Sequence, residues 1–104
     1  MGIEIEKGFE IILHAGNAKC IALEIINLSE EGELEAAKKK IEKADEELVL
    51  AHQVHKDILD LLASGQRIDM DLILTHALDH LSSAELICIL AQKFICIYER
   101  IGGK

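Results

Sequence analysis

The chain has 104 residues, 50% of them in the hydrophobic set, with 11 basic against 19 acidic residues and a net charge of -8. That length fits one domain, 1–104, and the apolar share excludes a disordered chain; an acidic excess with no basic patch excludes nucleic-acid binding, because phosphates would be repelled. The longest run free of Asp, Glu, Lys, Arg and His is Leu86–Gln92, far short of a membrane span, so no direct membrane insertion is expected, and Glu4, Glu6 and Lys7 argue against a signal or transit peptide.

The absence of proline and the scarcity of β-branched runs point to long helices. The first is expected from about Glu4 to Glu31. Phe9, Ile12, Gly16, Cys20, Leu23 and Ile26 form its main stripe at helical spacing, and Ile11, Ala15, Ala18, Ala22 and Ile25 a second, smaller one. Gly16 in mid-helix costs about 1 kcal/mol relative to alanine, which suggests close approach of another backbone there.

Gly32 marks a break, and the second helix is expected from Glu33 to about Ser64. Leu34, Ala37, Ile41, Ala44, Leu48, Ala51, His55, Ile58 and Leu62 recur three and four apart, a heptad-like seam. Lys38–Lys40, Glu42, Lys43, Glu46 and Glu47 are expected to coat the outside. Ser64-Gly65-Gln66-Arg67 reads as a turn, and Asp69 or Asp71 can cap the third helix. That helix is expected to run to about Arg100 and to stop at Gly102-Gly103.

The third helix carries a complete seam of Leu74, Ala77, Leu81, Ala84, Cys88, Ala91, Ile95 and Tyr98. Beside it lies a second, His80, Ser83, Ile87, Leu90, Phe94, Ile97 and Ile101, widened by Leu72 and Leu86. A monomeric three-helix bundle needs one broad apolar stripe per helix, and this surface continues around. A closed homo-oligomer would bury it. The fold class expected is all-α: an antiparallel three-helix bundle, spectrin-repeat-like, assembled as a homotrimer.

Cys20, Cys88 and Cys96 form no CxxC, and the last two lie too far apart along one helix to bridge, about 12 Å of rise. Free thiols in a reducing cytoplasm fit best. The chemistry-bearing cluster is on the third helix, where His76, Asp79 and His80 fall at i, i+3 and i+4 on one face. Counting outward from the turn at Ser64–Arg67 brings His55 near their level and His52 one turn away, with His14 the outlier. Two chemistries suit this arrangement. A neutral imidazole nitrogen is nucleophilic and can carry a phosphoryl group, given a partner that fixes its tautomer. Histidine and aspartate at helical spacing can also bind a metal ion. Residue types and spacing leave both open.

Leu74-Thr75-His76-Ala77-Leu78-Asp79-His80-Leu81 resembles the signature of the lactose/cellobiose-type IIA proteins of the bacterial phosphoenolpyruvate-dependent sugar phosphotransferase system. Gly8-Phe9-Glu10-Ile11-Ile12 with Ala15-Gly16-Asn17-Ala18 resembles that family's opening segment. Glu31-Gly32-Glu33-Leu34 resembles its first turn, and Ala51-His52 its second helix. The four blocks stand in family order and spacing over nearly the whole chain. The resemblance implies a trimeric phosphoryl carrier, a phosphotransferase component. It would accept phosphate from the histidine-containing phosphocarrier protein and pass it to a cysteine of the cognate IIB protein, without binding the sugar itself.

By the same resemblance His76 is the phosphorylated nucleophile and His80 a possible assisting or hydrogen-bonding neighbour. Asp79 would be shared at the trimer axis as a ligand to a cation, Mg2+ or another. Three converging carboxylates repel unless neutralised, so a cation there is physically sensible; on that reading loss of Asp79 weakens assembly more than it alters the nucleophile. His80, a hydroxyl such as that of Ser83, or partner groups would stabilise the equatorial oxygens in transfer. The chain departs from the family pattern at Leu78, where glutamine is usual, at Ser82-Ser83, and at His55, again in place of glutamine. Two alternative readings are a bundle binding transition metal through His52, His55, His76 and His80, and a non-catalytic trimeric interaction protein.

Overall fold

Three helices form, α1 (Ile3–Glu30), α2 (Leu34–Ala63) and α3 (Leu72–Ile101), in a computed structural model that describes residues 2–102. Both ends foreseen for the first two helices come from glycine. Gly32 and Gly65 have φ of +83° and +93°, a left-handed conformation that side-chain-bearing residues rarely adopt. Each closes a Schellman motif. The amide of Glu33 donates to the Leu28 carbonyl at 2.8 Å, and that of Gln66 to the Leu61 carbonyl at 3.1 Å, so carbonyls left over at the helix ends are satisfied. Asp71, not Asp69, caps α3: its carboxylate accepts the Leu74 amide at 2.8 Å. Gly102 ends α3, and Gly103 lies outside the described residues.

The helices pack as an all-α, antiparallel three-helix bundle 56 Å long. α1 is the central element, in broad contact with both others, which meet each other far less. This position explains why the stripe expected to dominate α1 does not. Phe9 and Leu23 are half-exposed, whereas Ile11, Ala15, Ala18, Ala22 and Ile25 are buried. A helix flanked on two sides needs small residues on the shared line so that both neighbours approach closely. Gly16 is not the point of close approach, since a Cβ there would meet nothing within 4 Å; Gly8 is, where a Cβ would stand 2.9 Å from Ile73 Cγ2.

On α3 the expected seam holds from Leu74 to Ile95, every member buried, and Tyr98 half-buried. Its second seam reaches the core only in part: Ile87 packs against it, whereas Leu90, Ile97 and Ile101 are exposed, as are Leu86 and Ile89 alongside. On α2, Glu47 is not part of the outer coat but is buried. Windows of α1 and α3 reach mean hydropathies of 1.3 and 1.5, so by length and composition both are apolar enough to cross a bilayer. The uncharged run does not reveal this because it stops at each isolated charge, whereas a long helix averages over them. Within the bundle, the buried stripes of these two helices join α2 in two clusters of buried residues, with the partly buried Leu48 packed against both.

Candidate functional site

The core fixes where the histidines of α3 point. Ala77 and Leu81 are buried against Ile11, Ala51, Val54 and Ile58. His76 and His80 each precede a buried residue, so the helical phase turns them to the bundle's edge. His76 is exposed and His80 half-buried. Their rings meet edge to face, with centroids 4.5 Å apart and the two Nε2 atoms at 3.1 Å. His80 Nδ1 lies 2.8 Å from the ammonium of Lys19, which reaches across from α1.

This chain of contacts sets the tautomers. An ammonium only donates, so His80 Nδ1 is the acceptor and its proton sits on Nε2. His80 Nε2–H then donates to His76 Nε2, which carries a lone pair, with the His76 proton on Nδ1. Burial, with the positive charge of Lys19 and the neighbouring His76, pushes the His80 pKa below its ordinary value against the opposing pull of Asp79. His80 is therefore neutral near pH 7, as the relay requires. The product is an exposed imidazole with an electron pair on Nε2 next to an N–H donor, an arrangement able to act as a nucleophile.

Lys19 is a site residue that sequence periodicity does not find. It lies 61 positions from His80, and helical spacing carries no information about such a pairing. Ser83 does not join the site, because its hydroxyl donates back to the Asp79 and His80 carbonyls at 3.2 and 3.1 Å. Leu78, in place of the usual glutamine, is half-buried and packs against the core, so the departure adds apolar contact rather than a polar group at the surface.

The expected gathering of four histidines does not occur. His52 Nε2 lies 3.1 Å from Glu85, beyond the level of His80. That contact shows the α2–α3 register to be displaced from equal counting about the turn. His14 Nδ1 instead meets Glu47 at 2.9 Å, and Asn17 donates to the same carboxylate at 2.9 Å. Among the described residues, no group of three or more His, Cys, Asp or Glu side chains is placed to hold a metal ion. This overturns both the histidine metal site and the Mg2+ expected with Asp79. The physical reason is local: His76 and His80 are engaged with each other, the Lys19 ammonium repels a cation, and Asp79 brings the only carboxylate of its turn. Cys20, Cys88 and Cys96 are all free, with Cys88 buried and the other two exposed. Burial pushes the Cys88 thiol pKa up, so it stays protonated and unreactive.

Residues 6–99 match the family described as the PTS system lactose/cellobiose-specific IIA subunit. The chain is 39% identical over 93 residues to the lichenan-specific phosphotransferase enzyme IIA component of Bacillus subtilis, covering 89% of this chain and 84% of that protein. It is 34% identical to the lactose-specific EIIA component of Streptococcus mutans, covering 89% of each. Among solved structures, the cellobiose-specific enzyme IIA of Bacillus anthracis superposes with a TM-score of 0.95 at 30% identity, covering 100% of this chain and 95% of that one. PtcA of S. mutans superposes with a TM-score of 0.88 at 35% identity, covering 95% of this chain and 99% of that one.

Proposed function

Since the chain belongs to the lactose/cellobiose-specific IIA family of the phosphotransferase system, and is thus a phosphotransferase component that carries phosphate on a histidine, we propose that this histidine is His76 and that its Nε2 takes the group. The observation that carries the assignment is the His76–His80 contact at 3.1 Å, which leaves an electron pair on Nε2 of the one exposed ring in that pair. His80 is the assisting residue, and its Nε2–H is the donor nearest the incoming phosphate.

Phosphoryl transfer needs positioning and charge stabilisation more than covalent machinery. As the His76 Nε2 electron pair bonds to phosphorus, the bond from phosphorus to the donor's ring nitrogen breaks and its electron pair stays with that nitrogen. The donor is the histidine-containing phosphocarrier protein, and the acceptor is a cysteine thiolate on the cognate IIB protein. An exposed nucleophile on a rigid helix suits two macromolecules docking in turn. The carrier works in the cytoplasm as a single domain, 1–104, and the apolar surface left on α3 supports assembly as a homotrimer. Asp79, exposed on the same face, lies toward a neighbouring subunit in that trimer.

The test is intact mass after incubation with phosphoenolpyruvate, the general phosphotransfer enzyme and the phosphocarrier. One acid-labile phosphoryl group per chain is expected, absent from His76→Ala and from mixtures lacking the phosphocarrier. An adduct that persists in His76→Ala would move the site elsewhere. No adduct on the wild type, with a working control carrier, would overturn the reading.

A further inference from the structure

We propose that Lys19 is a positioning residue for phosphoryl transfer, holding His80 in the tautomer that presents Nε2–H to His76 and then to the phosphoryl group. The inference rests on His76 being the phosphorylated residue. Its geometry comes from three side chains on two helices: Lys19 Nζ at 2.8 Å from His80 Nδ1, and His80 Nε2 at 3.1 Å from His76 Nε2. A neutral histidine in water divides its proton between the two nitrogens. Were the His80 proton on Nδ1, the ring would offer a lone pair to whatever lies beside His76. That would face the lone pair of the nucleophile before transfer and the phosphoryl oxygens after it, both repulsive. An ammonium fixed against Nδ1 excludes that tautomer, because both groups would then be donors.

The half-buried setting of Lys19 strengthens the effect, since a charge-assisted hydrogen bond shielded from water is stronger and shorter than one in solvent. Position 19 is also special in the fold. It adjoins the buried Ala18, which packs in one cluster with Ala84 and Cys88 of α3, and from there the long lysine side chain reaches His80. During transfer no proton has to leave the pair. His80 Nε2–H releases His76 Nε2 as the phosphorus–nitrogen bond forms, and turns to one of the phosphoryl oxygens. Lys19 keeps its own bond to Nδ1 throughout and brings a positive charge to the dianionic group's surroundings.

The experiment compares wild type, Lys19→Met and Lys19→Arg. Imidazole nitrogen chemical shifts, read by NMR on the unphosphorylated protein, report which His80 nitrogen holds the proton. The rate of phosphoryl uptake from the phosphocarrier is measured in parallel, with the phosphorylated residue mapped. Helical circular dichroism establishes that each variant is folded. The expected result is His80 protonated on Nε2 in the wild type, and a mixed population in Lys19→Met with uptake slowed about tenfold or more, the loss typical of a charge-assisted hydrogen bond. Lys19→Arg, which still donates, restores most of both. An unchanged His80 tautomer in Lys19→Met, or an unchanged rate, would overturn the proposal. If the phosphoryl group maps to a residue other than His76, the positioning role falls with that reading, whatever the tautomer.

Discussion

Replacing Glu47 by alanine should destabilise the bundle by about 2 kcal/mol at pH 7 and much less in acid. Glu47 is a buried carboxylate on α2 that accepts two hydrogen bonds from α1, from His14 Nδ1 and Asn17 Nδ2, both at 2.9 Å. Hydrogen bonds to a charged acceptor contribute about 1.5–3 kcal/mol each. Asn17 is exposed and regains water when its partner goes, while His14 is mostly covered and regains less. Removing the carboxylate also removes its own desolvation cost, so the sum of the two bonds is discounted to about 2 kcal/mol. For a domain of this size that is a fall in Tm of roughly 10 °C.

The pH dependence follows from the same contacts. Burial pushes the Glu47 pKa up, but the hydrogen bonds from His14 and Asn17, with the charges of His14 and Lys43, outweigh it and hold the folded value below the ordinary one. The stability this carboxylate contributes is thus complete above its unfolded pKa and disappears as pH falls through the folded value. Urea unfolding followed by far-ultraviolet circular dichroism, at pH 7 and about pH 3 and at one fixed protein concentration, measures both terms. A difference between Glu47→Ala and wild type below about 0.5 kcal/mol at pH 7, the ordinary scatter of surface substitutions, would refute the reasoning. So would a difference that does not shrink in acid.

Three further outcomes are expected. Gly16→Ala should raise stability by about 0.5–1 kcal/mol, because the added methyl meets open space and the helix interior gains from losing glycine's freedom; Gly8→Ala should lower it, since its Cβ would press on Ile73 at 2.9 Å, and thermal unfolding of the two variants side by side gives the opposite signs. In the proposed trimer, Asp79→Leu should strengthen self-association, because carboxylates brought together there, with no metal-binding group among the described residues, would repel one another. This reverses the effect inferred from a shared cation. Sedimentation across a dilution series measures it, and a trimer that dissociates more readily in the leucine variant would refute the repulsion argument.

Much of the bundle is legible in the sequence because its signals are local. Gly32 and Gly65 announce turns, and the α3 seam repeats without a break from Leu74 to Ile95. The spacing of His76, Asp79 and His80 is enough by itself to put the chemistry on one face of α3. What is illegible is relational. Ranking the stripes of α1 by side-chain size favours Phe9 and Leu23, yet burial follows the number of neighbours, and a central helix selects alanine. Glu47 looks like any surface glutamate until His14 and Asn17 are seen to face it from 33 and 30 positions away. The excess apolar surface of α3 is legible as a pattern, and its exposure on the single chain leaves it free to meet other copies.

The misread stripe and the unforeseen lysine both lie on α1, the helix flanked on two sides. Ala15, Ala18 and Ala22 of α1 pack in one cluster with Ala84, Cys88 and Ala91 of α3, beyond the level of the histidines, whose neighbours Ala77 and Leu81 pack with Ile11 in the other. A larger residue at Ala18, whose carbonyl lies 3.8 Å from Cys88 Sγ, would disturb the α1–α3 packing beyond the histidines and next to Lys19 in the chain. That packing holds the helix from which the Lys19 side chain reaches His80. The proposed nucleophile combines exposure with a fixed orientation. His76 stands on the surface, as docking of two partners in the proposed role requires, while its orientation is set by His80, by Lys19 behind it, and by the buried Ala77 and Leu81 that fix the phase of the helix.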